Sequence, residues 1–327
     1  MGRQDIIRVG TFNLLNLTLP ETTFYGRQKY SAEEFSMKKE WINQQLDNMN
    51  VDICGFQELF HVEALRNIIN DNPNYENARV VVGENADGLP SVGLVSKYPI
   101  TDVQVINTFP SQLEVDGMLV PFTRFSRPVL KCRVEVRPGV YFIVVVAHLK
   151  SKRPKIADDA DRNDPLEIAR GQARSLLLRA AEAAALREVL MDVLKDRNHP
   201  VIVMGDLNDT HTSVTTRIIS GDPPYRKLPM EKKIDIWDTL LYHAKDIQAR
   251  VAYHDTYYTH LHNGHYEALD HIMVSQELVR ENPKHIGKIG YVQIYNDHLI
   301  DETFSDDRVP CWKSDHAQVV VSIELKG

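Results

Sequence analysis

Apolar runs that end on short polar clusters recur at five places along this chain. The runs are Ile7–Asn13, Val51–Glu58, Tyr141–His148, Val201–Asn208 and Leu269–Val274, and Ser314-Asp315-His316 opens the last apolar run. Apolar runs of about four to eight residues bounded by turn formers are typical of buried strands. The pattern therefore predicts ionisable side chains on rigid, half-buried strand ends. Such groups are costly to desolvate without a partner, for example a metal ion with an anionic substrate.

The spacing of apolar residues predicts the remaining elements. Helices are predicted where apolar residues recur three, four or seven positions apart, at 34–49, 62–69 and 171–195. Strands are predicted at 6–14, 52–56, 79–82, 92–96, 103–107, 129–136, 140–147, 201–204, 251–253, 272–274, 291–294 and 318–325. Several strand pairs are joined by turns too short for a crossover helix, as at Arg137-Pro138-Gly139. The pattern favours mixed sheets with helices outside over a plain doubly wound parallel sheet.

Composition narrows the classes of protein further. The chain has 327 residues, 43% of them hydrophobic, with no linker-like stretch or internal repeat, so we expect one domain over 1–327. The formal net charge is -7, so any polyanion must meet a local basic patch or bound cations. Three cysteines imply no disulfide framework, and no signal peptide or long apolar run is visible. We expect a cytoplasmic monomer.

The tetrapeptide Gly205-Asp206-Leu207-Asn208 is the most informative of the clusters. A buried strand delivers Asp206 to its end, and Gly205 lets the backbone bend or approach a ligand. In extended chain Asp206 and Asn208 would point the same way, one as metal ligand or base and the other as a donor to a phosphate oxygen. A simple turn that closes the strand explains the same residues.

Two further clusters add a carboxylate and an imidazole. Glu58 follows a buried strand and could hold a hard cation such as Mg²⁺, or simply cap the next helix. His148 ends the most apolar strand and could donate to a phosphoryl oxygen, with Lys150 and Lys152 adding positive potential. A strand-end histidine beside two solvated lysines is the plainer interpretation.

Two Asp-His pairs flank apolar strands, at Asp270-His271 and Asp315-His316. A carboxylate that orients an imidazole is the usual way to build a general base. Neighbours in sequence point to opposite faces of a strand, so we expect Asp270 to hold His316 from a neighbouring strand. Asp315 then turns toward the metal, and His271 points away as a structural residue.

The order of these clusters resembles the endonuclease/exonuclease/phosphatase superfamily, which includes deoxyribonucleases, apurinic endonucleases, sphingomyelinases and inositol polyphosphate 5-phosphatases. The resemblance covers residues 13–316. It implies a four-layer α/β sandwich, with two mixed β-sheets face to face and helices on the outer faces. The active site would lie at one edge of that sandwich.

The resemblance also implies roles for single residues. Glu58 resembles the principal Mg²⁺ or Mn²⁺ ligand (Ca²⁺ is a further candidate), with Asn13 and Asp315 close by. Asp206 and Asn208 resemble the pair that faces the attacking water and the phosphate. The residues that match the remaining catalytic positions are Asp270, His316 and His148. Whether His316 or Asp206 is the base stays open, and a tyrosine in place of His148 would indicate the apurinic branch.

The chain departs from the family pattern at several positions. Lys313 stands where many members have glycine, Leu15 stands where some apurinic enzymes have aspartate, and only Asp87 offers itself as the acidic partner of His148. Three segments look inserted, near 18–31, 152–167 and 297–312. These segments contribute basic and aromatic residues that could bind substrate. We expect Arg153 and Trp312, together with Lys150 just before the second segment, to bind substrate.

The resulting hypothesis is a divalent-metal-dependent phosphodiesterase, with a nuclease acting on DNA or RNA favoured. A small or lipid phosphodiester or an inositol phosphate is the alternative substrate. A zinc hydrolase is a rival interpretation, because four histidines occur close together at positions 254, 260, 262 and 265. A non-catalytic binding module on the same scaffold is a second rival, although the complete set of polar residues speaks against it.

Overall fold

The structure is a computed structural model that describes residues 6–26, 29–84, 88–196, 199–225, 227–249, 257–262, 265–300 and 308–326. The strands, in chain order, are β1 (Ile6–Leu17), β2 (Ile53–Leu59), β3 (Arg79–Val82), β4 (Ser91–Ser96), β5 (Ile100–Thr108), β6 (Glu114–Val115), β7 (Met118–Leu119), β8 (Arg124–Arg137), β9 (Val140–His148), β10 (Val201–Asp206), β11 (Leu241–His243), β12 (His260–His262), β13 (His265–Glu267), β14 (Asp270–Ser275), β15 (Gly287–Tyr295) and β16 (Gln318–Leu325). The helices are α1 (Ala32–Met49), α2 (Val62–Asn70), α3 (Pro165–Asp196), α4 (Val214–Ser220), α5 (Met230–Trp237) and α6 (Ala244–Ala249).

Two mixed sheets of six strands each form the centre of the fold. One has the order β15-β16-β1-β2-β4-β3 and the other β11-β14-β10-β9-β8-β5. Each contains one parallel pair, β1 with β2 and β9 with β10, and the other pairs are antiparallel. The predicted mixed sheets are therefore confirmed. Two short hairpins, β6–β7 and β12–β13, lie outside the sheets.

Three apolar clusters define the layers. One lies between the sheets and combines side chains of both, such as Val9 of β1 and Val144 of β9. A second packs the outer face of the first sheet against α1 and α2, and a third packs the outer face of the second sheet against α3. Burial of these faces is the main stabilising term of the fold. The arrangement is the four-layer α/β sandwich that the family resemblance implied.

The predicted boundaries of some elements were wrong, for identifiable reasons. The long helix α3 begins at Pro165, six positions before the predicted start at Gly171, because proline suits a first helical turn. The strand β8 begins before Pro128, at Arg124, since the ladder with β5 shifts register there and the missing N–H is tolerated. Helices α4, α5 and α6 were not predicted. The predicted strand 251–253 lies outside the described residues.

Two further features concern sequence predictions about cysteines and membranes. Cys54 and Cys132 are buried free thiols, and Cys311 is an exposed one. Within the described part of the chain, no helix is both long and apolar enough to span a membrane.

Candidate active site

Four of the predicted site residues share the strand parity that faces the space between the sheets. Val9 of β1 faces the space between the sheets, and strand alternation places Thr11 and Asn13 on the same inner face. By the same alternation His148 faces inward, because it lies two positions after the inward-facing Val146. Asp206 faces inward because it lies two positions after Met204. Asp270 precedes the inward-facing Ile272 by two positions on β14. The period of two therefore turns side chains from four strands into one place.

Strand pairing brings three of these residues side by side. Asp206 is in register with His148 on the parallel neighbour β9 and with Asp270 on the antiparallel neighbour β14. Asn13 reaches Asp206 from the other sheet, with its Nδ2 donating to Oδ2 of Asp206 at 3.2 Å. The Asp206 carboxylate is 2% exposed. It is thus a buried point at which both sheets meet.

Both predicted catalytic histidines approach the same oxygen of Asp206. Nε2 of His148 lies 3.4 Å and Nε2 of His316 lies 3.8 Å from Oδ2 of Asp206. Burial raises the pKa of Asp206, while the neighbouring His316 charge opposes that rise. His148 is also buried, and burial together with the Arg127 charge holds its pKa well below the ordinary range. His148 is therefore neutral at pH 7.

Asp270 and His316 form the pair expected between neighbouring elements. Nδ1 of His316 lies 2.8 Å from Oδ2 of Asp270, and both residues are buried. Burial by itself lowers the pKa of His316, but the charges of Asp270 and Asp206 and this hydrogen bond raise it well above the ordinary value. Thr259 holds the strand end in place, since its hydroxyl accepts from the N–H of Asp270 at 3.1 Å.

Glu58 reaches the site through an irregularity in its strand. Cys54 and Phe56 of β2 face the outer helices, so regular alternation would point Glu58 outward as well. Instead Glu58 has φ 64°, and the β2–β4 register shifts between Gln57 and Leu59. Bulges of this kind re-aim a side chain, often beside an active site.

A matching irregularity in β1 fixes the position of that carboxylate. The β1–β2 register shifts between Asn13 and Leu17, and Leu15 and Asn16 have φ 48° and 57°. The N–H of Asn16 donates to Oε2 of Glu58 at 2.9 Å. Burial, followed by the Asp315 charge, raises the pKa of Glu58. Two carboxylates that repel each other in this way are a suitable environment for a cation.

The cluster Ser314-Asp315-His316 is tied to β1. The hydroxyl of Ser314 donates to the carbonyl oxygen of Asn13 at 2.7 Å and accepts from the N–H of His316 at 3.0 Å. Among the described residues, Oδ1 of Asp315 is buried and has no hydrogen-bond partner. A buried carboxylate oxygen without a donor is costly, and a metal ion would remove that cost.

Asn208 differs from the extended geometry that the sequence suggested. Its φ is 54°, and its N–H donates to Oδ1 of Asp206 at 2.8 Å, so the turn interpretation of this tetrapeptide is also correct. Its Nδ2 donates to the carbonyl oxygen of Leu149 at 3.0 Å. The side-chain amide has a second hydrogen, which is the one that could face a phosphate.

His271 lies apart from these residues, as expected. It faces the outer side of its sheet, where its Nε2 contacts the carbonyl oxygen of Asp209 at 2.9 Å and its ring centroid lies 5.2 Å from that of His243. Burial lowers its pKa to about 3, so it is a neutral core residue. Asp87, the proposed partner of His148, lies outside the described residues.

Of the four predicted substrate-binding residues, Asn208 lies beside Asp206, and the other three divide between two places. Lys150 and Arg153 line one cavity, together with Arg127, which lies in no recognisable sequence motif. Trp312 does not join them: it lines another cavity beside α1, with Lys313 placed 5.0 Å from its ring centroid. The reason is that its ring packs against the apolar cluster under α1.

The described histidines of the zinc interpretation, at positions 260, 262 and 265, do not bring their ring nitrogens together as one set of ligands. His260 lies against the active site instead, with its ring centroid 4.8 Å from that of His316. In the described chain two groups have ligand atoms within 4.8 Å of one another, and neither contains His262 or His265. They are His260 with Asp315 and His316, and Asp206 with Asp270 and His316. Position 254 lies outside the described residues.

Comparison with known proteins agrees with this geometry. The family model described as endonuclease/exonuclease/phosphatase family matches residues 10–316. The chain belongs to this family. Its members generally are metal-dependent enzymes that hydrolyse phosphoesters. The matched range begins within β1 and ends at His316, so it includes every strand that contributes to the site.

Solved structures share the fold of the family across nearly the whole chain. A humanised D. rerio TDP2 has a TM-score of 0.56 at 15% identity, covering 98% of this chain and 99% of that one. The human Nocturnin catalytic domain with bound sulfate has a TM-score of 0.56 at 15% identity, covering 99% and 98%. A family protein from Bacteroides thetaiotaomicron has a TM-score of 0.56 at 14% identity, covering 99% of each. No curated protein matched by sequence.

Proposed function

We propose that this protein is a divalent-metal-dependent phosphodiesterase that acts on nucleic acid. The family's hydrolysis of phosphoesters supports the reaction class. The observation that carries the proposal is the buried carboxylate of Asp206, which has His148 at 3.4 Å, His316 at 3.8 Å and Asn13 at 3.2 Å. Such a set can orient a water molecule and donate hydrogen bonds to a phosphoryl group.

Glu58, Asp315 and Asn13 would hold the metal ion. The fit rests on the partnerless Oδ1 of Asp315 and on Glu58, which among the described residues uses only one of its two oxygens in a hydrogen bond. Carboxylate and amide oxygens are hard ligands, which favours Mg²⁺ or Mn²⁺, with Ca²⁺ as a further candidate. When bound, the ion supplies charge neutralisation at the phosphoryl oxygens.

The chain's own residues divide the proton chemistry. His316 in its deprotonated form, oriented by Asp270, or ionised Asp206 takes a proton from the attacking water, whose oxygen then bonds to phosphorus in line as the bond to the leaving oxygen breaks. His148 is neutral and donates its N–H to a phosphoryl oxygen, and the second amide hydrogen of Asn208 does the same. The sandwich excludes water around these groups, so their dipoles act in a medium of low dielectric constant.

Nucleic acid is the favoured substrate because basic side chains concentrate beside the site despite the net charge of -7. A small or lipid phosphodiester is the second candidate. The cavity that contains Lys150 and Arg153 is also lined by apolar side chains, such as Ile156 and Leu178, and these favour the small or lipid substrate.

We further propose that the described chain forms one domain and is monomeric. The sheet that contains β1 also contains β15 and β16, so the two ends of the chain share one layer. A single cooperative unfolding transition and a monomer mass by light scattering would support this. Two separate transitions would contradict the single domain.

A substrate panel tests the function. Single- and double-stranded DNA, RNA and bis(p-nitrophenyl) phosphate are incubated with Mg²⁺, Mn²⁺, Ca²⁺ or chelator. We expect metal-dependent cleavage of a nucleic acid that falls steeply as salt is added. Good activity on the small diester with none on any nucleic acid would favour the second candidate. No hydrolysis of any substrate by the folded protein would contradict the proposal.

A further inference from the structure

A cavity of about 750 Å³ opens along the loop that follows β9. Five cationic side chains line it, and its described lining contains no carboxylate; the five are Arg127, Lys150, Arg153, Lys155 and Arg162. The ion pairs among the described residues involve none of these five. Like charges around one cavity repel each other, so an anionic occupant lowers the free energy of the site.

One backbone carbonyl joins this cavity to the candidate active site. The oxygen of Leu149 accepts from Nη1 of Arg127 at 3.3 Å and from Nδ2 of Asn208 at 3.0 Å. Leu149 also follows His148 directly. A ligand in the cavity therefore lies next to the groups that would hold the reacting phosphodiester.

The loop that carries the cations is held in place by α3. The hydroxyl of Ser175 donates to the carbonyl oxygen of Arg153 at 2.7 Å. The N–H of Lys155 donates to the carbonyl oxygen of Gly171 at 3.0 Å. The buried carboxylate of Glu182 accepts from the N–H of Lys150 at 2.7 Å. The cationic wall is thus largely preorganised, which reduces the entropy that binding must overcome.

Size and lining restrict what the cavity can hold. Pockets of about 300–1,000 Å³ suit one small ligand or one end of a polymer. Besides the cations, the ring of Tyr25 and the apolar side chains of Ile156 and Leu178 line the cavity. Burial raises the pKa of Tyr25, and the nearby Arg127 charge opposes that rise. The lining fits a group that combines phosphate with a flat or apolar ring.

We propose that this cavity binds a terminal phosphate monoester of a nucleotide substrate while the neighbouring phosphodiester lies at Asp206. The inference rests on the proposed function and specifies its substrate as a phosphorylated nucleic-acid end or short oligonucleotide. A phosphate monoester carries about -1.5 to -2 charges at pH 7, which several cations can neutralise together. A lipid diester offers a single charge and needs a larger apolar surface, so five cations favour the nucleotide.

The test compares thymidine dinucleotides that differ only in terminal phosphate. We measure kcat/KM with Mn²⁺ for TpT, pTpT and TpTp, and we expect phosphorylation at one end to raise it about tenfold or more. In the variant Arg162→Gln/Lys155→Gln, the ratio of kcat/KM for the phosphorylated dinucleotide to kcat/KM for TpT should fall toward one, because two exposed cations of the cavity are removed. The matched control Lys232→Gln removes an exposed cation on α5 and should keep the ratio.

Several results would overturn the inference. These are equal values for the three dinucleotides, a ratio that survives in the double variant, and faster hydrolysis of a short-chain phospholipid diester than of pTpT. If no diester is hydrolysed, the proposed function fails, and calorimetry with dTMP in the presence of chelator tests the cavity alone. Binding by the wild type that weakens about tenfold or more in the double variant supports the cavity, and no binding contradicts it.

Discussion

Nδ1 of His316 lies 2.8 Å from Oδ2 of Asp270, although the two residues are 46 positions apart in the sequence. Burial favours a neutral imidazole, and the carboxylate opposes that effect and fixes the ring so that Nε2 faces Asp206. The pair therefore controls both the charge and the direction of the imidazole.

The substitution Asp270→Asn tests this pair. It removes the negative charge that raises the pKa of His316, so that pKa should fall, and kcat should fall by about 10² or more. If His316 is the base, the acidic limb of the kcat/KM profile moves to lower pH. The Asp270 charge also raises the pKa of Asp206, so the limb should move to lower pH with either base, and a limb that stays in place would contradict both assignments. Circular dichroism checks that the variant is folded.

Replacement of either candidate base by alanine is the most direct test of the site. We expect His316→Ala and Asp206→Ala each to lower kcat by about 10² or more, the scale for loss of a general base or a key electrostatic partner. The matched control is His265→Ala, which removes an exposed histidine on β13. Near-normal rates in either active-site variant would refute the assignment.

Asp206→Asn should stabilise the metal-free protein while it abolishes activity. Burial raises the pKa of Asp206 above its unfolded value, so the folded carboxyl keeps its proton where the unfolded one has lost it. As pH rises from about 4, the cost of this group to stability grows, and it reaches its full value once pH exceeds the raised folded pKa of about 7. With chelator present, we expect the Tm of Asp206→Asn to exceed that of the wild type by more at pH 8 than at pH 5. A lower Tm in the variant at both pH values would contradict this.

Glu58→Gln should weaken metal binding more than it damages the fold. The amide keeps an oxygen for the N–H of Asn16 but loses the charge that attracts a divalent ion. We expect the Mg²⁺ or Mn²⁺ concentration for half-maximal activity to rise about tenfold or more. Chelator should abolish wild-type activity, and either ion should restore it. The control Glu231→Gln, on the exposed side of α5, should behave as wild type.

Gly205→Ala should destabilise the protein and displace Asp206. Gly205 has φ 137°, and an added Cβ would overlap the carbonyl oxygen of Ala147 on the neighbouring strand. The comparison is Gly139→Ala in the β8–β9 turn, where φ is 77° but no atom lies within 4 Å of the added Cβ. We expect a cost of about 1 kcal/mol at Gly139 and several times that at Gly205. Equal costs in denaturant unfolding would show that backbone contact at Gly205 is unimportant.

Much of the candidate site followed from the sequence because strands alternate with a period of two. Asn13, His148 and Asp206 end apolar runs and Asp270 opens one, and their parity with the buried residues of the same strands determines that they face inward. The apolar runs favoured mixed sheets with helices outside, and the family resemblance implied the four-layer fold. The short helices α4 to α6 were missed because a helix of six to eight residues contains too little periodic pattern.

Tertiary structure alone decided the position of Glu58 and the composition of the cavity. The parity of β2 directs Glu58 away from the site, and a bulge, which depends on pairing with both neighbouring strands, reverses that direction. Arg127 lies within β8 and carries no motif of its own, yet it joins Lys150 and Arg153 through the packing of α3 on the second sheet. Local periodicity determines which face a residue occupies, whereas contacts between distant segments determine which residues meet.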